Sequence, residues 1–462
     1  MKKVFKVLAL MLCLSLLFLS GCQRQSEQIY HLYTSKPENM IKNMNSPEAE
    51  AAEGSEQWKV DETQAKLTIY GFPIYFDWLV QEFNKKYPNV KVTYNQGSND
   101  GDNSFLDYTA KTSVDMMSGS AGDVIVIGGM PFHQFGKNNL LEDLYSYMED
   151  DPEFYKEDYY SNIFEAMEYD NKVWAIPISF SYFVTRFNKT MLEENQVKAP
   201  EGNSLSYKDI IDVYYKIAPN RDKLLISENG GYQTFERVEY NRYFDEKQGE
   251  AYFDSPDFPK FLNEMKKLQW PSKAELRLAS VRFFGQDYLD RPGDNDLCLI
   301  NGAFYYKGTN AGVFYNHPSN LTTPILLSAS NGDKPFFTPD KVLGISATSE
   351  NKDMAWKFIR FCIEEKSLET LKNDNIWPIT GMPVNRNSTL KLLENAFGEG
   401  NEDAVRSIDE WNSEVNERSF IHAAYILYEP MQGIVEDFFA ERINAEECAR
   451  QIQERAEIYL KE

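Results

Sequence analysis

The chain has few of the residues that build metal or nucleophile sites. It holds four histidines, His31, His133, His317 and His422, and none has metal-ligand spacing. No G-x-S-x-G, H-E-x-x-H or P-loop pattern occurs. DGDNSF (100–105) lacks the glycine and the later glutamate of a calcium loop. Positive charge is also scarce: 48 Lys and Arg against 71 Asp and Glu leave a formal net charge of −23. That argues against nucleic acid, which needs a clustered basic surface, and against electrostatic adhesion to anionic lipid. With so many carboxylates, acidic pairs must occur by number alone, so they do not argue for a glycosidase. The five cysteines are too scattered for a disulfide framework or a zinc motif. Cys298, Cys362 and Cys448 are therefore expected to be buried free thiols. The apolar run from Val7 to Leu19 is shorter than the roughly 20 residues a membrane-spanning helix needs.

That run nevertheless has a context. Lys2, Lys3 and Lys6 precede it, and Ser20 and Gly21 follow it, the layout of a secretory signal peptide over 1–21. Leu19-Ser20-Gly21-Cys22 resembles the lipobox of bacterial lipoproteins. The resemblance implies cleavage before Cys22 and a diacylglycerol on its thiol. Two acyl chains anchor stably where one binds marginally. The segment 22–64 is rich in Gln, Ser, Glu, Asn and Ala and shows no sustained period, so it is expected to be a flexible tether.

From Ala65 the composition changes to that of a folded body. LTIYGF (67–72) is a buried strand, and Phe76, Leu79, Val80 and Phe83 form one stripe of a helix over 74–87. VKVTYN (90–95), a helix from Phe105 to Met117 and the apolar run DVIVIGG (123–129) complete a strand–helix–strand–helix–strand series. That series predicts parallel βαβ units. Further on, VWAIPI (173–178) and YFVTRFN (182–188) read as two short strands with a polar joint at Ser179–Ser181. A helix is expected over Tyr207–Ile217, strands over 296–304 and 341–347, and helices over 352–366 and 443–460. The fold class is α/β.

Several stretches resemble one family in the right order. They are TIYGFPIYFDWLVQEFNKKYPNVKV, GDVIVIGGMPFHQFGKNNLLEDL, DNKVWAIPISFSYFVTRFNKTML, NGAFYYKG, VLGISATSENKDMAWKFIRFC and INAEECARQIQERAEIYLKE. From residue 65 to the end the chain resembles the sugar-type extracellular solute-binding proteins of ABC importers. It departs from the pattern at Asn171, where glycine is usual, at Phe304-Tyr305-Tyr306, where tryptophan is usual, and at Ser206-Tyr207. The resemblance implies a type II periplasmic-binding-protein fold. The first lobe would take 65–177 and 331–378, and the second 178–330 and 379–462, with a hinge between them. It implies a monomer without cofactor or catalysis that delivers a carbohydrate to membrane permease subunits.

In open α/β sheets ligands bind beyond the carboxyl ends of strands. Those ends carry Tyr75, Asn99, Asp100, Asp102, Gly128 and Gly129. Ser179 and Ser181 are candidates at the lobe crossing. Tyr182, Phe304, Tyr305, Tyr425 and Tyr428 are candidate aromatic platforms for the faces of a sugar. Any one of these rings serves a core equally well, and Asn99–Asp102 also reads as a solvated turn. An acidic, aromatic cleft also suits a polyamine or a peptide, and a ligand sensor for a signalling partner would share the same physics.

Overall fold

The structure, a computed structural model, describes residues 66–71, 76–95, 105–202, 204–219, 224–227, 233–268, 297–304, 322, 325–328, 335–365, 381–419 and 425–461. The expected signal peptide, Cys22 and the tether lie outside these residues.

Strand β1 (Lys66–Tyr70) buries Leu67, Ile69 and Tyr70. The helix Asp77–Lys86 then lays Leu79, Val80 and Phe83 inward, with Phe76 buried just before it. Its Phe83 ring meets Phe358 and Phe361 edge-on at 5.2 and 5.4 Å, docking it on the helix Lys352–Ile363. Strands β2 (Lys91–Asn95) and β3 (Val124–Val126) both run parallel to β1, as the βαβ reading requires. Asp123 fixes this layer. Its buried carboxylate accepts from Thr68 N, Ser349 Oγ and Asn351 Nδ2 at 2.7, 2.6 and 3.2 Å. Bonds to a charged acceptor contribute about 1.5–3 kcal/mol each, so β1, the start of β3 and the foot of the helix Lys352–Ile363 are held level.

The remaining strands are β4 (Ile176–Phe187), β5 (Ser204–Ser206), β6 (Leu224–Ser227), β7 (Phe244–Asp245), β8 (Glu250–Ala251), β9 (Leu297–Phe304), β10 (Ile325–Ser328), β11 (Phe336–Ile345), β12 (Met382–Pro383) and β13 (Glu417–Arg418). The main sheet runs β2-β1-β3-β11-β4-β10-β5, with β9 also on β4, β6 on β9, β12 on β4 and β13 on β11.

Strand β4 corrects the expected pair of short strands. It is one strand of 12 residues, all buried, with no break at Ser179–Ser181. Its neighbours change along its length. Over residues 176–181 it pairs with β11, and Phe180 and Ser179 also pair with β12. From Tyr182 onward it pairs with β9 and β10 instead. One strand thus belongs to two sheet halves. Ser179 does not break it because its hydroxyl bonds to the neighbouring strand, with Ser179 Oγ donating to Asp340 Oδ2 at 3.3 Å, and Ser181 stays in register opposite Thr338. Strand β11 is likewise longer than expected, starting at Phe336, before Pro339 and Asp340.

Beyond β4 a second core gathers Phe187, Ile210, Tyr214, Phe235, Phe258 and Phe261 with Leu427, Met431, Phe438, Ile452 and Ala456. The helix Tyr207–Ile217 opens with a capping box between Ser206 and Asp209, which accounts for its sharp start. The last helix, Ala445–Lys461, buries Cys448, Ala449, Ile452 and Ala456 in this core. Cys362 and Cys448 are free and buried. No helix among the described residues is long and apolar enough to cross a membrane.

Candidate functional site

Because β1, β2 and β3 are parallel, their carboxyl ends share one edge of the sheet. At Gly71, just past β1, a Cβ would stand 2.6 Å from Val126 Cγ2, so a larger residue would push into β3. The helix Phe105–Ser118 supports this edge through two phenols. Tyr108 Oη donates to the Val126 carbonyl at 2.9 Å and Tyr70 Oη to Asp115 Oδ2 at 2.7 Å. Burial, and next the bond to Asp115, raises the Tyr70 pKa above the ordinary tyrosine value.

The chain leaves β3 through Ile127, whose N–H donates to the Val342 carbonyl at 2.8 Å. Gly128 then turns at φ +55°, in the left-handed region that glycine enters without a Cβ penalty. Two residues before Val342 on β11 stands Asp340, opposite Ser179 of β4. Its Oδ2 accepts from Ser179 Oγ and, at 2.9 Å, from Lys341 Nζ. The register therefore brings the loop of Gly128 and Gly129, the pair Asp340–Lys341 and Ser179 to one place. Ser181 lies opposite Thr338, whose hydroxyl donates to Ser419 Oγ at 3.1 Å. On the other side of β4, a Cβ on Gly381 would come within 2.4 Å of the Phe180 carbonyl oxygen, so β12 lies tight against the crossing.

The next residue along, Tyr182, faces Phe304 across the first rung of the β4–β9 ladder. Its ring is 1% exposed and meets Trp411 edge-on at 6.5 Å. Tyr428 is packed in the second core, with the Arg237 guanidinium 6.0 Å from its ring. Tyr425 opens the helix Tyr425–Phe439. Tyr75, Asn99, Asp100, Asp102 and Tyr305 lie outside the described residues. Asp340 and Lys341 carry no sequence signal, because Pro339-Asp340 reads as a turn ahead of a strand rather than as its middle.

Ser179 and Ser181 are buried at this crossing, so the polar groups it presents are the partly exposed carboxylate of Asp340 and the ammonium of Lys341, an acceptor and a donor for a guest rich in hydroxyls. Among the described residues no group of three or more His, Cys, Asp or Glu is placed to hold a metal ion.

Residues 78–381 match the family model described as bacterial extracellular solute-binding protein. Solved structures that share the fold include the following three. One is the ABC substrate-binding protein Lmo0181 of Listeria monocytogenes, in complex with cycloalternan: 20% identity, 86% of this chain and 99% of that one, TM-score 0.58. A second is the sugar-binding protein MalE of Xanthomonas citri: 14% identity, 86% and 98% coverage, TM-score 0.59. The third is the GacH receptor of Streptomyces glaucescens, solved unliganded and with acarbose: 15% identity, 86% and 99% coverage, TM-score 0.55. No curated protein matches the chain.

Proposed function

Since this chain belongs to the bacterial extracellular solute-binding proteins, we propose that it captures a carbohydrate between two lobes and hands it to the permease of an ABC importer. The observation that carries this reading is the change of neighbours along β4. One continuous strand runs through two sheet halves, and the polar crossing lies beside it. A bend in such a strand moves one half against the other, and a guest touching both halves favours the closed arrangement. The structural relatives named above include proteins solved with cycloalternan and with acarbose, which supports an oligosaccharide as guest.

On this reading residues 65–177 with 331–378 form one lobe and 178–330 with 379–462 the other. The segment 381–419 lies at the joint. Asn162 Nδ2 donates to the Asn412 and Val415 carbonyls at 2.8 and 2.6 Å, while Trp411 touches Tyr182. Gly128, Gly129, Asp340 and Lys341 meet the guest, with Tyr75, Asn99, Asp100, Ser179, Ser181, Tyr182, Phe304, Tyr305 and Tyr425 completing the expected set. The protein acts as a monomer, performs no chemistry on its guest and is held to the outer face of the cell membrane by lipid on Cys22.

A thermal-shift screen across linear and cyclic oligosaccharides, polyamines and peptides tests the reading. A ligand at a hundredfold its Kd stabilises the native state by about 2.7 kcal/mol. An oligosaccharide should raise the melting temperature. A rise with polyamines or peptides alone would replace carbohydrate by that class. Turnover of chromogenic glycosides by the purified protein would overturn the non-enzymatic reading.

A further inference from the structure

Strands β7 and β8 form a small hairpin that belongs to the second core. Phe244 packs against Tyr459 of the last helix at 6.0 Å. Gln453, from the same helix, accepts from Phe253 N at 2.7 Å and donates to the Ala251 carbonyl at 2.9 Å. The turn of this hairpin leaves that core and enters the other half of the molecule. Glu246 is 9% exposed there, and its Oε2 is held by Arg418 of β13, which belongs to the same lobe as Glu246 on the division given above. Its Oε1 lies 3.0 Å from His133 Nδ1, on the helix that follows Gly128–Pro131. The next carbonyl, that of Lys247, accepts from Tyr169 Oη at 2.9 Å, and Lys137 Nζ donates to the same phenol at 2.7 Å. Tyr169 stacks on His133 at 5.4 Å and on Trp174 at 6.0 Å, and Arg418 lies 4.5 Å over the Phe132 ring. Burial, then the Arg418 and Lys137 charges, hold His133 down to about 3, so it is neutral near pH 7.

These contacts do not run through the shared strand. His133, Lys137 and Tyr169 come from the half that contains β1–β3, and Glu246 and Lys247 from the half that contains β9 and β10. They involve the helix that directly follows the Gly128–Gly129 loop, so a bend of β4 and β11 that draws that loop away from the second half breaks them. Parting the lobes takes Glu246 away from His133 and the Lys247 carbonyl away from the Tyr169 hydroxyl, and buried polar groups so separated need water or new partners. We propose that the β7–β8 turn is a latch between the lobes, with Glu246 at its centre. It biases the unliganded protein toward the closed arrangement. The inference rests on the two-lobed capture reading and adds to it what sets the resting balance. A latch that favours closure reduces the share of ligand-binding energy spent on closing and so tightens apparent affinity.

The test needs no ligand, so its outcome is independent of the solute screen. Hydroxyl-radical footprinting of the full chain reads side-chain exposure by mass spectrometry. His133 and Tyr169 are 5% and 7% exposed, and Phe83 in the first core is fully buried. In Glu246→Gln the latch loses its charge, and oxidation of His133 and Tyr169 should rise about threefold or more while Phe83 stays unchanged. Tyr169→Phe removes only the hydroxyl that reaches Lys247, and it should raise His133 oxidation by a smaller factor in the same direction. It also carries the test alone if Glu246→Gln fails to fold. Unchanged rates at His133 in both variants, or a rise shared equally by Phe83, would overturn the latch.

Discussion

If β4 is one strand serving two halves, a cavity cut at its midpoint must weaken both. Phe180 is the residue to remove. It is fully buried, pairs with Pro339 on one side and Met382 on the other, and its ring meets Tyr160, Phe337 and Tyr182 at 5.8, 5.9 and 6.4 Å. Phe→Ala in a core costs about 3–5 kcal/mol. The Tyr160 and Phe337 contacts are edge-on, a geometry worth about 0.5–1.5 kcal/mol per pair, which places Phe180→Ala near 5 kcal/mol. Phe261→Ala is the control. That residue is as deeply buried, but in the second core alone, against Tyr207 at 5.1 Å. A two-lobed chain need not unfold in one step, so each half requires its own probe. Hydrogen exchange in a urea series, read at the helices Ser161–Met167 and Asp257–Lys267, supplies both. Phe180→Ala should lower both midpoints together, and Phe261→Ala should lower the second at least as much as the first. A loss below about 1 kcal/mol, or one confined to a single half, would refute the shared-strand account.

Two further outcomes follow. Glu236 is fully buried, and burial raises its carboxyl to about 7, although Gln432 Nε2 and Tyr240 Oη donate to it at 3.0 and 3.1 Å. The folded pKa lies above the unfolded one, so between about pH 4.5 and 7 the native state binds more protons. This group's contribution therefore falls as pH rises through that window and is level above it. Glu236→Gln removes the dependence and should gain on the wild type by up to about 3 kcal/mol between pH 5 and pH 8. Equal gaps in the two thermal melts would refute this. Separately, Cys22→Ser should move the protein from the membrane fraction to the medium or the soluble extracytoplasmic fraction; retention on the membrane would exclude a lipid on that thiol.

Local patterning made the first half of the fold legible. The apolar stripe Phe76–Phe83 and the runs at 67–72, 90–95 and 123–129 became β1, a helix, β2 and β3 because burial there follows a simple period. The helix Tyr207–Ile217 was legible to the residue, since Ser206 caps it. The crossing was not. Ser179 and Ser181 look like a joint, and Pro339-Asp340 looks like a turn, until β4 and β11 are laid side by side and each absorbs the polarity of the other. The hairpin turn at Glu246 was also invisible. His133, Glu246 and Arg418 are far apart in the chain, and a lone histidine without metal-ligand spacing gives no reason to look for its neighbours.

The final helix also bears on when the second half can fold. Gln453 bonds to Phe253 and Ala251 across about two hundred residues, and Ile452 and Ala456 finish a core begun at Phe183. While ribosomes are still making the polypeptide, that core lacks one wall. Contacts so distant in sequence form late, because the loop they close is long. The second half therefore locks only after its tail has been made.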